Sequence, residues 1–199
     1  MITLIFATNN AHKLEEIRAA IGSRVTVIGL KEAGIERNIA EPFDTLEENA
    51  SEKSGVIAGI TGLDCFSEDT GLEVNALNGE PGVRSARYAG EESTSDQNIE
   101  KLLLNREATD RREARFRTVI SLRWQNREYQ FQGVCEGEIA RERTGTSGFG
   151  YDAVFIPSGT KRTFAQMSLE EKNRCSHRKK AANKLVLFLQ QHMNTSANA

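Results

Sequence analysis

The sequence is sparing with cysteine, has no surplus of charge of either sign, and lacks several motifs by which whole classes of protein declare themselves. Its three cysteines, Cys65, Cys135 and Cys175, are odd in number, far apart and without a CxxC pair. That excludes a disulfide framework or a zinc knuckle and fits a reducing cytoplasm. With 26 basic residues against 28 acidic ones, the net charge is -2. No basic field exists to hold a nucleic-acid backbone, so no nucleic acid is expected as a partner. The opening MITLIFATNNAHK has an apolar stretch too short to span a bilayer, with no basic region before it and no small-residue cleavage site after it. It is expected to be a buried strand, and no membrane is expected as a partner. GxxxxGK[ST], GxSxG and a GxGxxG after a strand are all missing, and His12, His177 and His192 have no HxxxH or HExxH partner. Phosphate-loop and dinucleotide folds, a serine-hydrolase elbow and a histidine zinc site are thereby set aside.

At 199 residues the chain can bury a sizeable core as one domain, residues 1–199, compact or split into two lobes. ITLIFA reads as a strand, stops at TNN, and gives way to Leu14, Ile17 and Ile21 at helical spacing. VTVIGL is a second strand, and residues 45–60 form a helix opening on Glu47 and Glu48, where the helix dipole favours acids. LDCFS is a third strand that runs straight into Glu68 and Asp69. From 114 to 124, Ala114, Phe116, Thr118, Ile120, Leu122 and Trp124 alternate with mostly polar neighbours, which predicts a strand with one buried face. After Gln125, Asn126 and Arg127 the odd positions Tyr129, Phe131, Cys135 and Ile139 repeat the pattern, completing an antiparallel hairpin. Ser168 with Glu171 matches a capping box, and Ala182, Leu185, Val186 and Leu189 stripe a final helix whose tail is expected to fray from about 193. Strand and helix alternate in the first half, and long antiparallel strands follow in the second. The fold class is therefore α/β, a long mixed β-sheet flanked by helices.

Four stretches carry chemistry. In FSEDTGLEVNALNG, two adjacent acids stand at the end of an apolar run, followed by Thr70 and Gly71, which permit a tight turn. Such acids are commonly solvated loop residues, yet carboxylates at the end of an α/β strand also suit Mg²⁺ shared with substrate phosphates. Neighbours on extended backbone point to opposite faces, so Glu68 and Asp69 need not share a task. TNNAHK ends in Lys13 at a helix start and offers amides plus one cation to a phosphate, or else merely caps the helix with Asn9 or Asn10. GTSGFGYDAVFIP sets glycines beside Phe149, Tyr151 and Asp152, where an aromatic could stack on a base and a carboxylate could bond ring nitrogens. SHRKKAANK places Ser176, His177 and Arg178 ahead of the last helix, with Lys172 before them.

TNNAHK, SEDTGLEVNALNGEPGVRSARYAG, GFGYDAVFIP and SHRKKAANKL occur in the order seen in the inosine triphosphate pyrophosphatase family, and the chain resembles its bacterial branch along essentially its whole length. The resemblance implies two lobes with a nucleotide cleft between them, a homodimer, and Mg²⁺-dependent hydrolysis of ITP, dITP or XTP to the monophosphate and pyrophosphate. It also implies site roles. Thr8, Asn9, Asn10, Ala11, His12 and Lys13 would hold phosphates and sugar, Lys53 would contact phosphates, and Glu41 with Asp69 would serve the metal. Asp69 would be the general base, with Glu68 as a supporting or second-metal ligand. Thr70, Phe149, Gly150, Tyr151, Asp152, Lys172, His177 and Arg178 would complete the substrate site, His177 and Arg178 offering donors to the purine 6-keto oxygen. Three departures stand out: Asn9 for a usual glycine, where positive φ would matter, Glu68-Asp69-Thr70 for Asp-Asp-Ser, and Ala153 for proline. A pyrophosphatase for other nucleoside triphosphates and a nucleotide-binding protein without turnover remain open alternatives.

Overall fold

The computed structural model of the chain describes residues 2–106 and 110–196. Its strands are β1 (Ile2–Phe6), β2 (Val25–Gly29), β3 (Cys65–Val74), β4 (Pro81–Gly82), β5 (Glu113–Trp124), β6 (Arg127–Ile139) and β7 (Phe155–Pro157). The helices are α1 (Ala11–Ile21), α2 (Leu46–Thr61), α3 (Ser95–Arg106), α4 (Leu169–Asn173) and α5 (His177–Ser196). The sheet runs β2-β1-β3-β5-β6-β7, with β4 paired to β3. Because β1 pairs in parallel with β2 and β3 while β3–β4 and β6–β7 are antiparallel, the sheet is mixed, as expected. The expected fraying tail is helical to Ser196, and residues 197–199 lie outside the described residues.

The chain divides into two compact units, the first Met1–Asp69, Thr118–Gly133 and Arg178–Ala199, the second Thr70–Arg117 and Val134–His177. In the first, β1 is buried on both faces with a period of two. Leu4 and Phe6 join the stripe of α1 (Ile17, Ala20, Ile21) and that of α5 (Ala182, Leu185, Val186, Leu189), whereas Ile5 and Ala7 pack with Ile57 of α2. β3 continues the alternation: Phe66 stacks on Phe6, centroids 4.6 Å apart, and Cys65 belongs to the α2 side. The second unit has its own core, built on Leu72, Val74, Ile99, Leu102, Phe116, Phe155 and Phe164.

Three expectations are corrected. β5 does not have one buried face in its centre, since Val119 and Ser121 are as buried as Ile120 and Leu122. Ser121 tolerates this because its hydroxyl lies 2.7 Å from that of Ser54 on α2, so the polar neighbour is satisfied inside the first unit. The third strand likewise does not stop before the acids. It runs on through Glu68, Asp69, Thr70 and Gly71 to Val74, and Gly71 makes no turn. Its missing side chain instead lets β4 approach: a Cβ there would sit 2.6 Å from the Gly82 carbonyl oxygen. The hairpin turn is tighter than expected, two residues only, with Gln125 and Asn126 both at positive φ (50° and 61°) as a type I′ turn requires.

Substituting Gly71→Ala should therefore destabilise the fold by about 1–3 kcal/mol, the usual cost of overpacking against backbone that cannot step aside. Urea unfolding of the variant checks this; an unchanged midpoint would show that β4 does not depend on the close approach.

Candidate active site

Period-two alternation on β3 decides what each acid meets. Glu68 follows Phe66 onto the face covered by α1 and α5, and Asp69 follows Cys65 and Ser67 onto the face covered by α2, where the Ser67 hydroxyl donates to the Ala50 carbonyl. On the first face Arg178, in the opening turn of α5, forks onto Glu68: Nε to Oε2 at 2.7 Å and Nη2 to Oε1 at 2.8 Å. Its Nη1 donates to Glu16 of α1, and Lys13 Nζ stands 3.3 Å from Glu68 Oε1. Burial pushes the Glu68 carboxyl up, but Arg178 and Lys13 outweigh it and hold the pKa at about 2. The same two carboxylates overcome the burial of Arg178 and raise its pKa further.

On the other face Lys53 projects from α2 between two carboxylates, bonded to Glu41 and lying 3.2 Å from Asp69 Oδ1. Burial opposes its charge, yet Asp69 and Glu41 raise its pKa overall. Asp69 moves the other way from Glu68. Burial lifts its pKa, Lys53 only partly offsets that, and the Glu41 carboxylate adds to the rise. Among the described residues no hydrogen-bond donor reaches Asp69 Oδ2. One buried carboxylate oxygen is thus left with lone pairs to offer a cation or a water.

The loop before α1 and the first turn of that helix are solvent-exposed from Asn9 to His12, with Thr8 and Lys13 half-buried. Asn10 caps α1 by accepting from the Lys13 amide at 3.1 Å. Asn9 does not take positive φ, so a glycine is not needed there; its side chain donates to the Arg37 carbonyl at 2.9 Å.

In the second unit lie Thr70, Phe149, Gly150, Tyr151, Asp152, Lys172 and His177. Lys172 Nζ donates to Asp152 Oδ2 at 2.6 Å and stands over the rings of Phe149 and Phe164, 5.3 and 5.1 Å from their centroids. Asp152 also accepts from the Phe149 amide at 3.0 Å. Gly148, at φ +77°, makes this possible, because a Cβ there would fall 2.1 Å from Asp152 Oδ2. His177 stacks on Phe116, centroids 4.6 Å apart, within the aromatic bed that Phe155 and Phe164 complete.

Three residues assigned from the sequence have contacts of their own inside the protein. Glu68 accepts from Arg178 on both of its oxygens. Arg178 donates from each of its three nitrogens to a carboxylate and is 2% exposed. Tyr151 is buried and its hydroxyl donates to the Ser85 carbonyl at 2.9 Å. Phe149 is the half-buried aromatic of that loop. Glu16 and Phe116 enter unannounced. Glu16 had one signal, a charge beside Ile17 and three residues after Lys13 on α1, whereas the 61 residues that separate Phe116 from His177 leave no local trace.

A buried carboxylate with a raised pKa and an oxygen without a donor costs the folded state stability whenever it is ionised. Asp69→Asn is accordingly expected to raise the Tm of the nucleotide-free protein at neutral pH by roughly 2–4 °C, the shift of ~1 kcal/mol in a chain of this size. Calorimetry of the two proteins checks the sign, and a lower Tm in the variant would mean that Asp69 is stabilising where it stands.

The Ham1 family model matches residues 4–188 of the chain. A dITP/XTP pyrophosphatase of Christiangramia forsetii is 46% identical over 186 residues, covering 94% of this chain and 98% of that protein. One from Porphyromonas gingivalis is 49% identical over 190 residues, covering 95% and 98%. Among solved structures, the Staphylococcus aureus Ham1 protein superposes with a TM-score of 0.86 at 40% identity, covering 96% of this chain and 99% of that one. The fold, the full-length identity and the matched family model agree: the chain belongs to the Ham1 family.

Proposed function

We propose that this protein hydrolyses deaminated purine nucleoside triphosphates, ITP, dITP and XTP, to the monophosphate and pyrophosphate, and so clears them from the nucleotide pool. The observation that carries the reading is the division of labour on β3. Glu68 is locked by Arg178, while Asp69, one residue on, keeps an oxygen that no donor reaches, next to Lys53. The names of the relatives support the substrate class.

In this reading Asp69 Oδ2 accepts a proton from a water whose oxygen attacks the α-phosphorus; the bond to the bridging oxygen breaks and pyrophosphate leaves. Lys53, Lys13 and the amides of the Thr8–Lys13 loop would balance the charge of the triphosphate. Among the described residues no three carboxylate, imidazole or thiol groups gather as a ready metal cage. Mg²⁺ nevertheless suits the donors present, because it is usually held by one or two carboxylates and the substrate's own phosphates. Glu41, with its side chain 28% exposed, and the Asp69 carboxylate beside it would hold it. Bound there, Mg²⁺ would supply charge neutralisation at the phosphate oxygens.

The base end is assigned to the second unit. Phe149 would stack on the purine, and His177, its ring fixed on Phe116, would donate an N–H to the 6-keto oxygen. Adenine presents an amino donor at that position, and each donor left unpaired costs about 1–3 kcal/mol. Thr70, Gly150, Tyr151, Asp152, Lys172 and Arg178 would complete the substrate site, and a homodimeric, cytoplasmic enzyme is part of the proposal. Among the described residues no helix is long and apolar enough to cross a membrane.

Pyrophosphate release is expected from ITP and XTP with Mg²⁺, at least ~100-fold slower from ATP, and negligible after chelation. Asp69→Asn should lower kcat with ITP by about 10²–10⁴. Near wild-type turnover in that variant would remove Asp69 as the base, and equal rates with ATP would remove the substrate assignment.

A further inference from the structure

Glu16 is a buried carboxylate, 6% exposed, that the proposed chemistry does not use. It faces Arg178, and the contacts around it form a chain of alternating charge: Glu16 to Arg178, Arg178 to Glu68, Glu68 to Lys13. Two positive and two negative groups make this tetrad neutral, which is the condition under which buried charges persist. Its geometry is one of attachment. Glu16 and Lys13 are three apart on α1 and so share a face of that helix. Lys13 reaches Glu68 directly, and Glu16 reaches it through the guanidinium.

Two points of contact one turn apart fix a helix in a way that one cannot. Beside the core packing of Ile17, Ala20 and Ile21, a second pair of opposite sign, to the other member of the same fork, constrains both the rotation and the height of α1 against β3. The Thr8–Lys13 segment comprises the loop that enters α1 and the first turn of that helix, and the residue after Glu68 on β3 is Asp69. The offset between α1 and β3 is thus the offset between the loop assigned to the phosphates and the carboxylate assigned to the water.

We propose that Glu16 is a positioning residue of the hydrolytic site, setting through Arg178 and Glu68 the register between the phosphate loop on α1 and Asp69 on β3. The inference rests on the reading of Asp69 as the base. Glu16 touches neither substrate nor water; it acts on the distance over which attack occurs, and an error on the order of 1 Å there can cost ~100-fold in rate.

The test is Glu16→Gln, which keeps the size and a hydrogen-bond acceptor but removes the charge that holds the guanidinium. Single-turnover cleavage of ITP with Mg²⁺ gives the rate per bound enzyme, and calorimetric titration with the α,β-methylene analogue of ITP gives affinity and the fraction of competent sites. A positioning role predicts a rate at least tenfold lower with Kd within threefold of wild type and full stoichiometry. A rate within twofold of wild type overturns the inference, as does a loss of rate matched by an equal loss of competent sites, which is what a merely structural role would give. Should Glu16→Gln fail to fold, Glu16→Asp decides: charge is kept and reach is shortened, so the same split of rate from affinity supports the proposal and a wild-type rate overturns it. Asp69→Asn run beside them separates the two levels, since turnover surviving in that variant defeats the base assignment, whereas an inactive Asp69→Asn with a fast Glu16→Gln defeats only this inference.

Discussion

The fork between Arg178 and Glu68 is the contact on which the rest of the first unit's polar interior depends. A guanidinium that is 2% exposed cannot stay ionised without partners, because the solvation it loses must be replaced by carboxylates in good geometry. The two parallel bonds at 2.7 and 2.8 Å, with Glu16 on the remaining nitrogen, supply that replacement. Removing either carboxylate would leave charge stranded in the core. The same contact separates the surroundings of the two acids. Glu68 is held in its charged form by cations on its own face, whereas Asp69, on the opposite face, has Lys53 and Glu41 beside it.

Asp69 occupies the less comfortable position. Lys53 shares its charge with Glu41 as well, so it only partly compensates the burial of Asp69. Maintaining a lysine inside the stripe of α2 requires that the helix be fastened, and the fastening is polar. Asn49 exchanges two hydrogen bonds with the backbone of Phe43, and Ser54 meets Ser121, which in turn donates to Glu128. Arg123 closes the group through Ser54 and Glu128. A buried network in which every member is satisfied rigidifies its surroundings, and here it does so one residue from Lys53.

The second unit solves a different problem with aromatic surface. Phe116, Phe155 and Phe164 form a bed on which the His177 ring lies, and the Lys172–Asp152 pair is set against Phe149 and Phe164. Rings impose orientation without offering competing hydrogen bonds, so the polar atoms at this end are left to the groups that carry them. Gly148 belongs to the same scheme, since it yields its side-chain volume to Asp152.

Much of this was written locally. The strands at 2–6 and 25–29, the capped helices α1, α2 and α4, the long hairpin and the period-two separation of Glu68 from Asp69 follow from spacing, caps and alternation, which act over a few residues and leave their mark in any short window. The same holds for the four motif stretches, whose order identified the family before any contact was known. Tertiary structure decided the rest. That β4 lies close against β3 depends on the space left at Gly71; that Glu68 and Arg178 meet depends on a pairing 110 residues apart; that His177 rests on Phe116 depends on another across 61. A sequence window shows which groups are charged or aromatic, but burial and partnership, which determine whether a charge is locked or available, arise only when distant segments fold onto one another.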